Sequence, residues 1–440
     1  MKILFIIPYV PYPLNSGGNQ AFFTITDHVR KEHEVSVLLY VHHSNDLENV
    51  QALRQIWTNV TFYIYDQRQH HEEGEMAESV APFSNMSWMD RTLCKFFSSI
   101  RRSMFRKIER RQKKYAVVSQ KEDYNRLNST LFATSDDLDA PFCQFVQKVS
   151  TKGFDAIQVE FYEYLPLVLL LPKEVRKIFV HHEIRFVRNE NELQLFRQVL
   201  PTDTLLFEKE KAFEVACLSA CDAVVTLTET DKQILGHYIP AEKIFASPAI
   251  IHIDASKRLS FKPVKEMVFI GSGDHFPNAD AVIWFCKEIM PILKERMAEV
   301  PRLNIVGRWR DDLKTAIMKL CPEACFTGFV EDLSSYINGK LSVVPVRIGS
   351  GMRIKILDSI FAAAPIVTTS KGCEGLPMAD DVNCLIADSA AAFADAISRV
   401  IADQQLQQKI VVNALASDTG MLNEKELIER RLSVYREVRS

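Results

Sequence analysis

The sequence predicts an α/β protein with two Rossmann-like, doubly wound domains that face each other across a cleft. Three observations lead to this prediction. Short runs of branched apolar residues alternate with longer helical patterns, which is typical of βα units on a parallel sheet. The alternation stops in a polar stretch and then starts again. Polar and glycine residues follow the predicted strands in both halves, where doubly wound domains bind their ligands.

The first domain is predicted to comprise residues 1–255. Its predicted strands cover residues 3–7, 35–40, 60–65, 156–159, 177–180 and 223–227. The apolar run at the N-terminus is interrupted by Pro8, Pro11 and Pro13, so it is interpreted as the first strand and not as a signal peptide.

The second domain is predicted to comprise residues 256–420, with strands at 267–270, 303–306, 325–327, 341–344 and 365–368. A C-terminal helix is predicted within residues 421–440, because apolar residues recur along one side of residues 424–438. The other side of this helix is highly charged. We therefore expect the helix to pack on a domain that is already built, and the first domain is the candidate.

Composition and charge exclude several classes of protein. The 440 residues suit two or three hydrophobic cores, and 47% of them are hydrophobic, as in globular domains. The net charge of -3 gives no overall attraction to nucleic acid or to an anionic membrane. The 9 cysteines follow no disulfide or metal-site spacing, and no apolar stretch approaches the roughly 20 residues that span a bilayer. A cytoplasmic protein with free thiols is expected.

The segment at 345–369 carries the most informative motif, and it is predicted to run from a strand end through a glycine turn into a helix. Gly349 and Gly351 allow close approach of a ligand to the backbone, and the helix start near Met352 offers unpaired N–H groups. Nearby cations supply the positive charge that suits a diphosphate, namely Arg347, Arg353 and Lys355.

Asp358 extends this motif toward a nucleotide. It lies about one helical turn after Lys355, where its carboxylate could accept hydrogen bonds from ribose hydroxyls. The alternative for the whole segment is a surface turn followed by a solvated, basic helix start.

The order of several motifs resembles that of glycosyltransferases with the GT-B fold and is similar to the family-4 retaining enzymes, the glycosyl transferases group 1. The matching segments are residues 11–20, 181–183, 222–231, 270–278, 305–308, 327–333 and the glycine segment at 345–369. The resemblance covers nearly the whole chain. It implies that a nucleoside diphosphate sugar binds mainly the second domain, that the acceptor binds mainly the first, and that neither a metal nor another cofactor is needed.

The resemblance also implies roles for single residues. His182 matches the family histidine near the reacting sugar and is the candidate catalytic residue, with a structural histidine as the alternative. Gly17 and Gly18 match the glycine loop beside the diphosphate and the acceptor. Glu160 and Glu229 are candidates for binding acceptor hydroxyls or acting as a base, with solvated glutamates as the alternative. The donor-binding candidates are Gly271, Ser272, Gly273, Arg308, Phe329, Val330, Arg347, Ser350, Gly351, Met352, Arg353, Lys355 and Asp358.

Two positions depart from the family pattern. Ser350 stands where many relatives carry a glutamate that binds the donor sugar, so it offers no charge to offset an oxocarbenium ion. No Arg or Lys directly follows the first strand of the second domain, so Arg308 and the cations of the glycine segment are expected to neutralise the diphosphate.

The backbone of Phe329 and Val330 is expected near the base, with the Phe329 side chain in the core. His181 is expected to point away from His182, because neighbours on an extended segment alternate.

Residues 86–115 form a basic, amphipathic segment. Ten Lys and Arg residues oppose two acids, which gives a local charge of +8, and apolar residues recur at spacings of three and four. This composition suits the surface of an anionic membrane. The alternative is a helix that packs on the first domain with its basic face in solvent.

The resemblance, together with these observations, implies a retaining glycosyltransferase that uses a nucleoside diphosphate sugar. Its acceptor would be a glycan, a lipid-linked molecule or another acceptor in the synthesis of cell-surface polysaccharide or glycoconjugate. It would act in the cytoplasm, with a peripheral contact at the inner face of the cytoplasmic membrane and with no nucleic-acid partner. Two alternatives remain open at this point: a nucleotide-sugar epimerase of the same fold, and a non-catalytic subunit that keeps the fold.

Overall fold

The computed structural model describes residues 1–14, 17–68, 123–132, 138–250, 259–416 and 423–439. The basic segment at 86–115 and the predicted domain junction at 255–256 lie outside these residues and stay predictions. Within the described ranges, no helix is long and apolar enough to cross a membrane.

The first domain is built on a sheet of parallel strands, in the order β3-β2-β1-β4-β5-β6-β7 among the described residues. Every residue of the strands at 156–160 and 223–226 is buried, because helices cover both faces of the sheet. The strand predictions for this domain are confirmed to within one residue at each end, but β7 is too short for its pattern to predict. The strands are β1 (Lys2–Ile7), β2 (Glu34–Val41), β3 (Thr61–Asp66), β4 (Ala156–Glu160), β5 (Arg176–His181), β6 (Ala223–Thr226) and β7 (Ile244–Ala246).

The second domain contains a second parallel sheet, with the described strands in the order β10-β9-β8-β11-β12-β13. Its strand predictions are also confirmed to within one residue, except that the two-residue strand β13 is missed. The prediction of two doubly wound α/β domains is therefore correct. The strands are β8 (Glu266–Ile270), β9 (Leu303–Val306), β10 (Ala324–Gly328), β11 (Lys340–Val344), β12 (Ile366–Thr368) and β13 (Leu385–Ile386).

Helices connect the strands and cover the two sheets. Side chains cap several helix starts: the Asp139 carboxylate accepts the N–H of Phe142 at 2.6 Å, and the Thr228 hydroxyl accepts the N–H of Asp231 at 2.9 Å. The described helices are α1 (Gly17–Glu32), α2 (Ser44–Ile56), α3 (Tyr124–Asn128), α4 (Ala140–Ser150), α5 (Arg185–Gln194), α6 (Pro201–Ser219), α7 (Glu229–Leu235), α8 (Phe276–Trp284), α9 (Met290–Arg296), α10 (Asp311–Leu320), α11 (Leu333–Ile337), α12 (Ile354–Phe361), α13 (Ala390–Ala402), α14 (Gln404–Ala416) and α15 (Glu424–Arg439). Short 3-10 helices lie at Thr130–Phe132, Tyr162–Leu169 and Ala241–Lys243, and a π-helical turn at Phe285–Ile289 joins α8 to α9.

The C-terminal helix α15 packs on the first domain. Tyr435 is fully buried, and its ring centroid lies 6.4 Å from that of Phe5 in β1. The Arg431 guanidinium donates to the hydroxyl and the carbonyl oxygen of Ser247, at 2.9 and 3.1 Å. The last helix thus completes a core whose strands come from the other end of the chain.

Candidate functional site

A cleft of about 780 Å³ lies between the two domains. The carboxyl ends of β8 and β9, the start of α12 and the turn after β5 all contribute to its walls. The cleft brings together thirteen residues predicted from the sequence, namely Gly17, Gly18, His182, Gly271, Ser272, Arg308, Phe329, Val330, Ser350, Met352, Arg353, Lys355 and Asp358. This is the place where a doubly wound pair of domains is expected to bind a ligand.

Lys355 and Asp358 lie on the second-domain wall of the cleft. The Lys355 ammonium donates to Asn278 Oδ1 at 2.7 Å and lies 4.4 Å above the ring of Phe269. Burial lowers the pKa of Lys355 to about 7, and the Arg353 charge adds to this effect. Burial raises the pKa of Asp358 to about 7, against the opposing charge of Lys355. Near neutral pH the wall therefore carries two groups that can each gain or lose a proton.

The turn after β8 forms another part of the second-domain wall. Asn278 donates from Nδ2 to the carbonyl oxygen of Ser272 at 2.9 Å, so the side chain that holds Lys355 also holds this turn. The Ser272 hydroxyl donates to the carbonyl oxygen of Arg308 at 3.0 Å. Gly273 does not line the cleft: a Cβ at this position would lie 2.5 Å from the Trp309 ring, so the glycine makes room for the indole behind the wall.

Two of the predicted diphosphate cations have other partners. Arg347 pairs with the buried carboxylate of Asp280, at 2.7 and 3.1 Å, and lies 4.8 Å from the Trp284 ring. It does not line the cleft, so its role in donor binding stays a prediction without support from the lining. Arg353 lines the cleft, but its guanidinium donates to main-chain carbonyls, at 3.1 Å for Gly351 and also to Ser350. Its main contacts brace the glycine turn.

The glycine turn at 349–351 makes direct contact with the first domain. The N–H of Gly349 donates to Asn191 Oδ1 at 3.2 Å, and the N–H of Gly351 donates to Asp231 Oδ2 at 3.1 Å. A Cβ on Gly351 would lie 2.1 Å from the carbonyl oxygen of His182. These glycines therefore permit close approach of the other domain, and their role beside a diphosphate stays a prediction.

Ser350 belongs to the same contact. Its side chain is buried, and its hydroxyl oxygen accepts the N–H of Ile184 at 2.6 Å. The position that resembles a donor-sugar acid thus holds a hydroxyl that joins the two domains. A carboxylate at position 350 would bring a charge into this buried contact, where its loss of hydration is unfavourable.

His182 faces the second-domain wall from the first domain. Its Nε2 lies 2.7 Å from Glu160 Oε2, and its ring is stacked on Phe161 with centroids 3.9 Å apart. Both neighbours fix the plane of the imidazole. His181 instead contacts Glu214 Oε1 at 2.7 Å in the core, as the alternation along an extended segment predicts.

Glu160 and Glu229, which are predicted on the acceptor side, do not line the cleft. Glu160 is buried and accepts hydrogen bonds from Gln158 and His182, so it lies behind the cleft-lining residues of the first domain. Glu229 is exposed at the start of α7 and does not line the cleft. The sequence places both at strand ends correctly, but it does not show which way each side chain turns.

Phe329 corrects another expectation. We expected its side chain in the core, yet 64% of its surface is exposed, and it lines the cleft with Val330 and Leu333. It follows β10, which is an edge strand of the described sheet, so no neighbouring strand covers it. The aromatic face is available to a flat ligand.

A charged cluster in the cleft was missed by sequence reasoning. Glu183 pairs with Arg188 at 3.0 Å, and His275 Nε2 lies 3.8 Å from the Glu183 carboxylate. Burial opposes ionisation of Glu183, but Arg188 and His275 together hold its pKa well below its usual range. The position of Glu183 beside His182 was the only local signal, because His275 comes from the opposite domain.

Comparisons with known proteins agree with this arrangement. Residues 264–403, which include most of the second-domain wall, match the family described as Glycosyl transferases group 1. No curated protein sequence matches the chain.

Solved structures similar over the whole chain are GT-B glycosyltransferases. TarM from S. aureus, in complex with Fondaparinux, alpha-GlcNAc-glycerol and UDP, has a TM-score of 0.62 at 11% identity, and the match covers 99% of this chain and 100% of TarM. Sucrose-phosphate synthase from Thermosynechococcus elongatus has a TM-score of 0.63 at 13% identity, covering 99% and 98% of the two chains. HepE from Anabaena, in complex with UDP and glucose, has a TM-score of 0.58 at 11% identity, covering 99% of each. At such identities the likeness shows the GT-B fold.

Proposed function

We propose that this protein transfers a sugar from a nucleoside diphosphate sugar to an acceptor, with retention of configuration. The proposal depends on one observation, which is that predicted residues of both domains line the same cleft. Lys355 and Asp358 at the start of α12 face His182 of the first domain across one cleft. The family match over residues 264–403 supports glycosyl transfer.

The donor is proposed to bind the second-domain wall. The ammonium of Lys355 and the positive end of α12 suit the diphosphate, and the cleft-lining guanidinium of Arg308 adds a further cation. The carboxylate of Asp358 suits the ribose hydroxyls, and Phe329 offers a face for the base. UDP is the first nucleotide to test, because the TarM and HepE structures contain it.

The chemical step is proposed to rely on positioning and electrostatics. His182 would form a hydrogen bond to a hydroxyl of the donor sugar beside the reacting carbon. The leaving diphosphate, held by Lys355, would accept the proton of the attacking acceptor hydroxyl on the same face. No covalent intermediate and no metal are proposed, so excess EDTA should leave turnover unchanged.

Thermal unfolding with and without UDP, GDP or ADP tests the donor site, because a ligand that binds the native state raises the midpoint. One nucleotide should stabilise the wild type, and the shift should disappear in Lys355→Ala and in Asp358→Ala. Lys314→Ala is the matched control, since Lys314 pairs with Asp311 on α10 away from the cleft. No shift with any nucleotide, or an equal loss in the control, would contradict the proposed donor site.

Product analysis then tests the transfer. Incubation with the sugar conjugate of the stabilising nucleotide should release the free nucleoside diphosphate, slowly with water and faster with an acceptor. An isomerised nucleotide sugar without release would instead identify an epimerase. Binding with neither outcome, over a panel of glycan and lipid-linked acceptors, would identify a non-catalytic subunit.

The proposed acceptor is a glycan or a lipid-linked molecule in the synthesis of cell-surface glycans. A peripheral membrane contact through residues 86–115 belongs to this proposal and rests on their sequence. Co-sedimentation with anionic vesicles should decrease when Trp88, Phe96 and Phe97 are changed to Ser. Unchanged sedimentation would exclude this segment as the contact.

A further inference from the structure

A chain of hydrogen bonds runs from the C-terminal helix to the cleft histidine. The Tyr435 hydroxyl in α15 donates to Gln158 Oε1 at 2.7 Å. Gln158 Nε2 donates to Glu160 Oε1 at 2.6 Å, and Glu160 Oε2 lies 2.7 Å from His182 Nε2. Tyr435, Gln158 and Glu160 are all buried, so water does not compete for these contacts.

The order of donors and acceptors along the chain is set at its buried end. A tyrosine hydroxyl facing a glutamine oxygen donates to it, which turns the amide so that its NH₂ faces Glu160. An ionised Glu160 carboxylate has no proton to donate, so both of its oxygens act as acceptors. The remaining donor must come from the imidazole, so the proton of neutral His182 is placed on Nε2 and Nδ1 keeps its lone pair.

We propose that Gln158 and Tyr435 are positioning residues for His182. They hold the Glu160 carboxylate that fixes the tautomer of the side chain facing the sugar, so the C-terminal helix supports the cleft histidine. His182 then accepts a hydrogen bond from a sugar hydroxyl through Nδ1. This inference rests on the proposed function for its effect on turnover, but the tautomer itself can be tested without any substrate.

The first experiment is ¹⁵N NMR of the histidine rings in the full chain, with the His182 signal assigned by its loss in His182→Gln. The wild type should show a neutral ring protonated at Nε2. Glu160→Gln should move the proton to Nδ1, because the new amide donates to Nε2. Tyr435→Phe should leave the proton on Nε2 but shift its signal, because the Glu160 carboxylate is then held less firmly. A doubly protonated ring, a proton on Nδ1 in the wild type, or a Tyr435→Phe signal identical to wild type would overturn the proposal.

A matched control separates this effect from loosening of the helix. Leu427→Ala removes a buried apolar contact of the same helix α15, about two turns from Tyr435, and takes no polar group from the chain of hydrogen bonds. This variant should leave the His182 signal unchanged. A change as large as that of Tyr435→Phe would overturn the proposal, because the helix packing and not the hydroxyl would then control the ring.

Kinetics with the stabilising nucleotide sugar give the second readout. Tyr435→Phe should lower kcat by roughly three- to tenfold with KM nearly unchanged, the size expected for one lost hydrogen bond. Glu160→Gln should lower kcat further, and adding Tyr435→Phe to it should cost little more, because both act through His182. Additive losses, or an equal rise in KM, would overturn the proposal. If no nucleotide sugar is turned over, the NMR result still decides the tautomer, while the proposed function fails separately.

Discussion

The two walls of the cleft are built in different ways. The second-domain wall consists of backbone turns and a helix start, with Lys355 and Asp358 three residues apart on one helix. The first-domain wall consists of side chains such as His182 and Glu183, whose positions are set by partners behind them or across the cleft. We therefore expect changes in the second-domain wall to affect mainly donor affinity. Changes behind the first-domain wall should affect mainly turnover.

The walls meet at the glycine turn, and Gly351→Ala is expected to have the largest effect. The φ angle of Gly351 is 77°, and a Cβ there would lie 2.1 Å from the His182 carbonyl oxygen. The left-handed conformation costs roughly 1–2 kcal/mol, and the clash between backbones adds about 1–3 kcal/mol. Denaturant unfolding should therefore show a loss of about 3 kcal/mol. Nucleotide-sugar turnover should be lost as well, because the walls are forced apart.

Gly153→Ala is the control for this variant. Its φ angle is 74°, but nothing lies within 4 Å of an added Cβ. It should lose only about 1–2 kcal/mol and keep its turnover. Equal losses at the two positions would show that the turn and the first domain are not in close contact.

The second-domain wall should respond to pH around neutrality. Burial lowers the pKa of Lys355 to about 7 and raises the pKa of Asp358 to about 7. The pair therefore changes from one positive charge below this pH to one negative charge above it. Calorimetric titration should show that affinity for the stabilising nucleoside diphosphate falls as the pH rises from about 6 to about 8, by up to roughly tenfold per unit.

Two controls assign this pH dependence. The matching nucleoside without phosphates should not weaken with rising pH, since it lacks the groups that need the ammonium. Lys355→Arg should give a shallower slope, because its guanidinium keeps its charge. A wild-type affinity that stays constant over this range would contradict the role of Lys355.

Phe329 tests whether the second-domain wall also binds the base. Phe329→Ala should change the free energy of unfolding by less than about 0.5 kcal/mol, because the side chain is largely exposed. Affinity for the nucleoside diphosphate should fall by about tenfold, which is the range of a lost stacking contact. Leu205→Ala is the control, since Leu205 is 70% exposed and does not line the cleft. Equal affinities in both variants would show that Phe329 does not contact the base.

Ser350 is expected to give the smallest effect. Ser350→Ala loses the hydrogen bond from the Ile184 N–H, so the free energy of unfolding should fall by about 1 kcal/mol. Ser433→Ala is the control, because this hydroxyl bonds only to a carbonyl of its own helix at the surface. Ser350→Glu should lower turnover rather than raise it. Faster turnover in Ser350→Glu would indicate that this position contacts the donor sugar.

The strand, turn and helix that build the second-domain wall could be predicted from sequence because their determinants are neighbours in the chain. The strand at 340–344, the glycine turn and the helix that starts at residue 354 follow one another directly, so the pattern of apolar, glycine and charged residues carries the geometry. The contacts of single residues could not be predicted where the partner lies far away in the chain. Arg347 was assigned to the diphosphate, although Asp280 pairs with it from 67 positions away.

The sequence by itself determined the two parallel sheets, the bounds of all described strands except the short β7 and β13, and the gathering of glycine and polar residues at strand ends, because burial on both faces imposes a readable apolar pattern. Only the tertiary structure decided what those polar residues touch. Ser350 meets Ile184 across 166 positions, and Tyr435 meets Gln158 across 277. A hydrogen bond requires its atoms to lie about 3 Å apart, and only the folded chain brings such distant residues that close.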